Sequence, residues 1–440
     1  MKKWLKRLLI FIGVLAVLAA GAAVYYYICM NPYRGTVDSM PYSKSLDTEL
    51  SLDEAIEDLD YVYERVSSRH PAWLDGNDAI VNAVEQQYET EKALLSQKGK
   101  VTILEIWQAC ARMTGVMKDG HTGVYYRTEK PKFIESVEEI QLYGLPIRID
   151  DISMETVIDN YLSIYPYERR EFALDGFYRR FLNMDYWLAG CGIDITDGVT
   201  FTFTTPSGEQ DFHYEFVEFE QIKGLENPQD SSEEDLGWVY YNVNKEQDVA
   251  VFTLTSCRYN DEYHNTADAF WKEVFDNNIH NVIVDLRGNG GGSSTVANYF
   301  MQSLDVDEYR SWGNAMRLGW YLWKQEDVLI ENEKREQVFT GKLYVLTDIQ
   351  TYSSAMDFAM LITDNHLGTI IGEASGNMPD GYGDVLNFEL PNSKLAMGVS
   401  HKRWWRVDTS KSGQPIMPDY EVDSSIAMEK ALELIGSNGK

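Results

Sequence analysis

Cysteine is scarce in this chain: four in 440 residues, at Cys29, Cys110, Cys191 and Cys257, with no C-x-x-C pair. That spacing supplies no thiolate set for a metal, and no metal or cofactor is expected. One disulfide among the last three and free buried thiols both remain open readings. Positive charge is also in short supply, with 39 Lys and Arg against 69 Asp and Glu and a formal net charge of -30. So acidic a chain is not built to bind nucleic acid or an anionic membrane surface. It suits a solvated ectodomain, or a surface that attracts cationic peptides. Short-period repeats and low-complexity tracts are missing as well, which excludes solenoid and linker-like architectures. Hydrophobic content of 44% and aromatic content of 13% are ample for packed cores, and the length suits two or three units of ordinary domain size.

The acidity does not extend to the N-terminus. Lys2, Lys3, Lys6 and Arg7 precede an uncharged run to Met30 that is almost wholly apolar from Leu8 to Ile28. About 20 apolar residues cross a bilayer as a helix, and basic residues before the span predict a cytoplasmic N-terminus. Residues 1–7 are therefore read as a cytoplasmic tail and 8–28 as a transmembrane anchor, with everything after Cys29 extracytoplasmic at the cell membrane. Tyr25, Tyr26 and Tyr27 sit at the outer interface. A cleaved signal peptide is the competing reading, and Ala19-Ala20-Gly21-Ala22 offers a cleavage site. Tyr27-Ile28-Cys29 lacks the small residue expected before a lipidated cysteine.

Residues 29–48, with Asn31-Pro32, Gly35 and Pro41, read as a linker. Residues 49–135 form an N-terminal helical region: a capped helix from Ser51 ending at His70-Pro71, then helices over 79–96 and 102–116. Asp119-Gly120 turns the chain into a strand at Val124-Tyr125-Tyr126, so His121 lies on a tight turn. Residues 136–245 are an intermediate region with strands at 144–149 and 199–205 and a helix near 154–165. Gly224 to Gly237, with Pro228 and Glu233-Glu234-Asp235, marks an exposed linker. From 246 to 440 strands alternate with helices, one of them over 267–277, which predicts an α/β core with parallel crossovers.

Two segments of that core carry chemistry. Asp285-Leu286-Arg287-Gly288-Asn289-Gly290-Gly291-Gly292 follows the β-branched run Asn281-Val282-Ile283-Val284 and leads into a helix over 295–304. Backbone amides at such a glycine-rich helix start suit an anion or a developing oxyanion. About 60 residues later, strand Lys342 to Thr347 leads through Thr351-Tyr352-Ser353-Ser354-Ala355 into another helix. A serine at that turn can project its hydroxyl toward substrate, although a serine there can instead simply cap the helix. An oxyanion site together with a nucleophile reads as a serine hydrolase.

These segments resemble the serine peptidase family of the tail-specific (C-terminal processing) proteases and the tricorn core. Ile283 to Gly292 matches its D-L-R-x-N-x-G-G element, and Tyr344 to Ala355 its T-x-S-S/A-A element. Ile371 to Gly376 matches I-G-E-x-S/T-G, Asp119-Gly120-His121-Thr122 the D-G-H-T of the tricorn-like branch, and Pro418-Asp419 the tail. The resemblance implies a ClpP/crotonase-like spiral β-β-α core, with any PDZ-like domain in the intermediate region degenerate or replaced, because no Gly-Leu-Gly-Phe-like loop is present. It implies Ser353 as nucleophile, with Ser354 as the alternative. The Ser354 and Gly291 amides become oxyanion donors, or Gly290 or Gly292 if the register slips. The tail-specific lysine would fall at Met378, and no lysine lies between Lys342 and Lys394, so a Ser–Lys dyad is disfavoured. His121 becomes the base, since an imidazole accepts a proton near neutral pH. The tricorn-like tail glutamate is replaced by Ser412, leaving Glu373, Asp408 and Asp119 as possible acidic orienters. Asp285 and Arg287 are read as shaping the glycine turn. The aromatics Trp312, Trp320, Tyr321 and Trp323 are read as core or as lining for an apolar substrate pocket. The expected activity is a serine-type endopeptidase acting on peptides or unfolded proteins through an acyl-enzyme. A catalytically inactive peptide-binding relative is the alternative, and a crotonase-like CoA enzyme a third.

Overall fold

The structure, a computed structural model, describes residues 2–224, 237–326 and 328–437, so most of the linker expected over 224–237 lies outside the described residues. The chain divides into two compact units, each assembled from separate segments. The first comprises residues 1–129, 315–324 and 382–403; the second comprises 130–314, 325–381 and 404–440.

In the first unit the apolar run forms the helix Lys2–Tyr25, continued by a wider turn over Tyr26–Met30, and the side chains from Lys3 to Tyr25 are exposed. Three amphipathic helices follow: Leu52–Arg69, Asp78–Leu95 and Ile103–Gly115. Capping boxes start the first and third, with Ser51 and Thr102 accepting from the backbone of Glu54 and Glu105 while those carboxylates reach back. Each box satisfies amides that the helix leaves without partners. Val62, Val66, Ile106 and Trp107 are completely buried on the inward faces. A sheet in the order Tyr321–Gln325, Gly313–Leu318, Ala396–Trp405, Gly381–Glu389 completes the unit's framework, and Gly123–Tyr125 pairs antiparallel with Ala396 to Gly398.

The second unit is organised by a six-stranded sheet in the order Val239–Asn244, Val249–Leu254, Asn281–Asp285, Lys342–Thr347, Thr369–Gly372, Tyr420–Glu421. Its first pair is antiparallel and every later pair parallel. Strand side chains alternate between faces. Val282, Val284, Leu343 and Val345 join Phe252, Phe270, Trp271, Phe300 and Phe358 under the helices Asp261–Asp276, Thr295–Met301 and Ser354–Asp364. Ile283, Tyr344, Leu346 and Ile371 pack on the opposite face against Ala427 and Ala431 of the helix Ala427–Ser437. A sheet covered on both faces needs continuous apolar strands, which explains the unbroken β-branched run before the glycine turn.

The helix expected over 267–277 begins earlier, at Asp261, because the Asn260 side chain caps it at the Tyr263 amide and Asp261 and Glu262 complement its first turn. The strand expected over 144–149 shrinks to Arg148–Ile149; Pro146 has no N–H to give a ladder, and Gly144 lies at φ 80°. That short strand belongs to a four-stranded sheet with Ile152–Ser153, Val199–Thr205 and Gly208–Tyr214. The four cysteines are free, and Cys110, Cys191 and Cys257 are buried.

Candidate active site

Two strand-to-helix turns of the second unit lie side by side because their strands, Asn281–Asp285 and Lys342–Thr347, are parallel neighbours. The turns are sewn together by hydrogen bonds. Gly288 N–H donates to Asp348 at 2.9 Å, Thr351 Oγ1 to the Leu286 carbonyl at 3.0 Å, and Tyr352 N–H to the Asn289 carbonyl at 2.9 Å. Asp285 and Arg287 do shape the glycine turn. The guanidinium grips the Asp285 carboxylate through two nitrogens at 2.9 and 2.6 Å and donates to the Ser424 carbonyl at 2.6 Å.

Glycine is required at the point of closest approach. Gly291 sits at φ 98°, and a Cβ there would lie 2.8 Å from Ser353 Cβ and 2.9 Å from the Ser354 nitrogen. Its neighbour Gly292 is at φ 142°, where a Cβ would lie 2.3 Å from the Cys257 carbonyl oxygen. No other residue brings the glycine backbone this near the serines. The Gly291 N–H is not idle: it donates to Asn289 Oδ1 at 2.8 Å, while Asn289, fully buried, donates to the Leu254 carbonyl at 2.9 Å. The N–H groups of Gly290, Gly292 and Ser354 have no hydrogen-bond acceptor among the described residues.

The two serines differ sharply. Ser353 adopts φ 53° and ψ -123°, a conformation that costs a non-glycine residue about 1–3 kcal/mol, and its side chain makes no capping bond to the helix it precedes. The simple helix-cap explanation therefore does not account for it. Such a strained strand-to-helix turn is the geometry that presents a nucleophilic serine in other hydrolases. Ser354 is buried, and its hydroxyl donates to the Gly292 carbonyl at 2.8 Å, a further stitch between the turns.

What holds Ser353 in strain is a residue that sequence reasoning passed over. Asn377 is 3% exposed, and its Oδ1 accepts the Ser353 N–H at 2.9 Å. Asn377 is fixed in turn by Ser375, whose hydroxyl donates to the Asn377 carbonyl at 2.8 Å and accepts the Ile416 N–H at 2.9 Å. The only signal in the sequence was its place directly after I-G-E-A-S-G, beside the vacant lysine position Met378. The intermediate region braces the same loop: Glu168 accepts the Met378 N–H at 2.9 Å, Arg169 donates to the Ser375 carbonyl, and Phe172 stacks on Tyr352 with ring centroids 4.6 Å apart.

His121 lies in the first unit, on the turn between Ile103–Gly115 and Gly123–Tyr125. Its N–H donates to Asp119 Oδ1 at 3.0 Å, and its ring Nδ1 is 3.9 Å from the same oxygen, an ion-pair distance beyond hydrogen-bond reach. Asp119 is almost completely buried and also accepts from His70 Nε2 at 3.2 Å and from the Ser400 hydroxyl at 2.7 Å. Burial pushes its pKa up, but hydrogen bonds, that from His70 first, outweigh it and hold it well below the usual carboxylate range. His70, legible in the sequence only as a helix stop, is buried, and its Nδ1 accepts the Ala72 N–H at 3.2 Å. That leaves Nε2–H as the donor to Asp119.

The other two acidic candidates sit in the second unit and are occupied by backbone. Glu373 accepts the Ile349 N–H at 3.2 Å and the Ser424 N–H at 3.0 Å. Asp408 accepts from the hydroxyl and N–H of Ser410 at 2.7 and 3.1 Å, and the hydroxyl bond first, with Lys411 nearby, lowers it to about 2. Ser412 lines a cavity of about 240 Å³ with Arg310, Trp405 and Thr409. Of the aromatics, Trp312 packs edge-on against Trp404, whereas Trp320, Tyr321 and Trp323 of the first unit are exposed.

A strained serine, a glycine turn pressed against it and a helix N-terminus form the parts of an acyl-transfer site. The sequence comparisons agree. Residues 248–422, which include both turns, match the model of Peptidase family S41. That match supports a serine-type peptidase of the tail-specific, or C-terminal processing, family. Among solved structures the fold is similar to mature CPAF, with 13% identity, a TM-score of 0.60, and coverage of 88% of this chain and 99% of that one. A serine-to-alanine mutant of CPAF gives 12% identity and a TM-score of 0.61, covering 88% and 96%. Identities this low speak for the fold alone. No curated protein sequence matches the chain.

Proposed function

We propose that this protein is a membrane-anchored extracytoplasmic serine endopeptidase of the tricorn-core-like branch, with Ser353 as nucleophile on a ClpP/crotonase-like core. The observation that carries the reading is the strained backbone of Ser353, held by Asn377 and flanked by Gly291. Strain persists only where the surroundings enforce it, and here they aim one residue. Ser353 Oγ attacks the scissile carbonyl, giving a tetrahedral intermediate, and loss of the amine leaves an acyl-enzyme that water hydrolyses. The Ser354 amide, at the start of an 11-residue helix, is one oxyanion donor. The second is Gly291, once its N–H leaves Asn289, or one of the flanking amides of Gly290 and Gly292.

His121 is the proposed base and Asp119, whose carboxylate lies beside the imidazole and already accepts from His70, its orienter. This assignment requires the two units to bring His121 to Ser353, directly or on closure over substrate. The helix Lys2–Tyr25 with its continuation to Met30 is the proposed uncleaved anchor, long and apolar enough to cross a bilayer. Protease shaving of intact cells should remove the ectodomain; recovery of the whole chain in the cytosol would refute the topology.

An inactive peptide-binding relative is the second reading, favoured by the Gly291 N–H already being taken by Asn289 and by Met378 and Ser412 at positions where relatives keep functional groups. A fluorophosphonate probe separates the two. The full chain should be labelled on Ser353 and should hydrolyse an unstructured protein, and Ser353→Ala should abolish both. A chain that is neither labelled nor active is the inactive relative, and label on Ser354 would move the nucleophile.

A further inference from the structure

The tip of the hairpin formed by Gly313–Leu318 and Tyr321–Gln325 belongs to the first unit and lies against the exit of the N-terminal helix. Gly319, at φ 58°, approaches Cys29 so closely that a Cβ would fall 2.0 Å from the Cys29 carbonyl oxygen. Beside it, Trp320 Nε1 donates to the Tyr25 hydroxyl at 2.7 Å. The tip is tied back into its unit by Arg317, whose guanidinium donates to the Gly319 carbonyl at 2.9 Å and the His70 carbonyl at 2.6 Å.

Position along the helix decides what surrounds this tip. The apolar run ends at Ile28, and Tyr25 lies three residues short of that end. At about 1.5 Å per residue the Trp320 indole is held within ~5 Å of the end of the apolar run rather than clear of it. Three rings are exposed here, Trp320 at 65%, Tyr321 at 46% and Trp323 at 45%, and just after Tyr25 in the chain Tyr26 and Tyr27 are 51% and 61% exposed. Aromatic rings with one polar atom are the side chains that settle at the boundary between headgroups and acyl chains.

We propose that the tip Gly319–Trp323 is a second membrane contact, with Trp320, Tyr321 and Trp323 seated in the interfacial layer beside the anchor. The proposal rests on reading the N-terminal helix as an uncleaved anchor. A helix alone leaves its unit free to tilt. A second contact restrains that tilt, giving the D-G-H-T turn of the same unit a set height above the membrane. The contact relies on aromatic insertion and not on charge, in keeping with a chain of formal net charge -30. The occupant is therefore a bilayer surface that need not be anionic.

The test uses the full chain reconstituted in phosphatidylcholine vesicles containing a diazirine-bearing phosphatidylcholine, with photolabelled peptides mapped by mass spectrometry. Label is expected both within residues 8–28 and within 319–323, with no gain when phosphatidylglycerol is added. The triple variant Trp320→Ser, Tyr321→Ser, Trp323→Ser should lose the second label, keep the first and melt at the same temperature. Label on the helix but not on the hairpin overturns the proposal and leaves the anchor standing. Label on neither overturns the anchor as well. Hairpin label that requires phosphatidylglycerol, or a hairpin cross-linked to a second copy of the chain, also overturns it.

Discussion

The serine turn and the histidine turn hold their chemical groups by opposite means. At Ser353 the backbone is strained and the surroundings supply the restraint: Asn377 accepts its N–H, the glycine turn presses on its Cβ, and Phe172 stacks on the preceding Tyr352. At His121 the support is a satisfied buried charge. Asp119 takes hydrogen bonds from His70, Ser400 and the His121 amide, and no left-handed residue lies between Asp119 and Thr122. Strain is relieved when glycine replaces the residue and is unchanged by another small side chain, whereas a buried charge network collapses when one partner is lost. Substitutions at the first turn should therefore remove activity without stability, and those at the second should separate the imidazole from the carboxylate beneath it.

The largest expected effect is Ser353→Ala, which should lower kcat/KM for an unstructured protein by about 10³-fold or more with the melting temperature unchanged or raised. Ser353→Gly sharpens the contrast: it should be equally inactive yet more stable by roughly 1 kcal/mol, seen in denaturant titration, since glycine accepts φ 53° without strain. A loss of stability would show that the turn is not strained in solution.

His121→Ala should lower turnover by about 10²-fold with little change in melting temperature, checked by steady-state kinetics and thermal denaturation. Asp119→Ala should differ by destabilising the fold by about 1–3 kcal/mol per donor left unpaired, read from chemical denaturation. Because Asp119 titrates below its ordinary 3.8, its contribution is complete above that pH and is lost as the pH falls toward the folded value. A wild-type stability insensitive to acid below pH 4, as ~3.8 is passed, would contradict this account.

Asn377→Ala should reduce kcat by about tenfold with KM little altered, as expected of a residue that positions the nucleophile without touching substrate; Asn377→Asp, which keeps the acceptor, should recover much of the loss. An unchanged kcat would mean that the glycine turn alone fixes Ser353.

The smallest effect concerns His401, buried beside Ser400. Burial pushes its pKa below 6.5, and its Nδ1 donates to the Asp384 carbonyl. A histidine depressed on folding leaves the fold fully stable above 6.5 and weakens it as pH falls through the unfolded value toward the folded one. His401→Gln should flatten the decline in melting temperature between pH 6.5 and 5 by a few degrees. A slope equal to the wild type's would remove His401 as its source.

Much of the second unit was legible in residue order. Strand 342–347 and the continuous apolar run before Gly288 announced an α/β core with parallel crossovers, and the glycines announced a turn with open backbone amides, because both signals are local. The edge of the helix at Asp261 was missed, since a single Asn cap outweighed the later start of the apolar pattern. Asn377 and His70 were missed for another reason: their roles depend on partners far away in the chain, Ser353 for one and Asp119 for the other, and a lone Asn or His carries no periodicity that would mark it.

The sequence by itself determined the apolar N-terminal helix, the α/β core, the two turns and the family they resemble, because each is written in short-range pattern or in motif. Tertiary structure alone decided that Ser354 spends its hydroxyl on the Gly292 carbonyl, that Asn289 takes the Gly291 amide and that Glu373 and Asp408 hold backbone while Asp119 holds histidines. The physical reason is that a polar group's chemistry is fixed by which neighbours satisfy it, and those neighbours are chosen by strand order and packing rather than by distance along the chain.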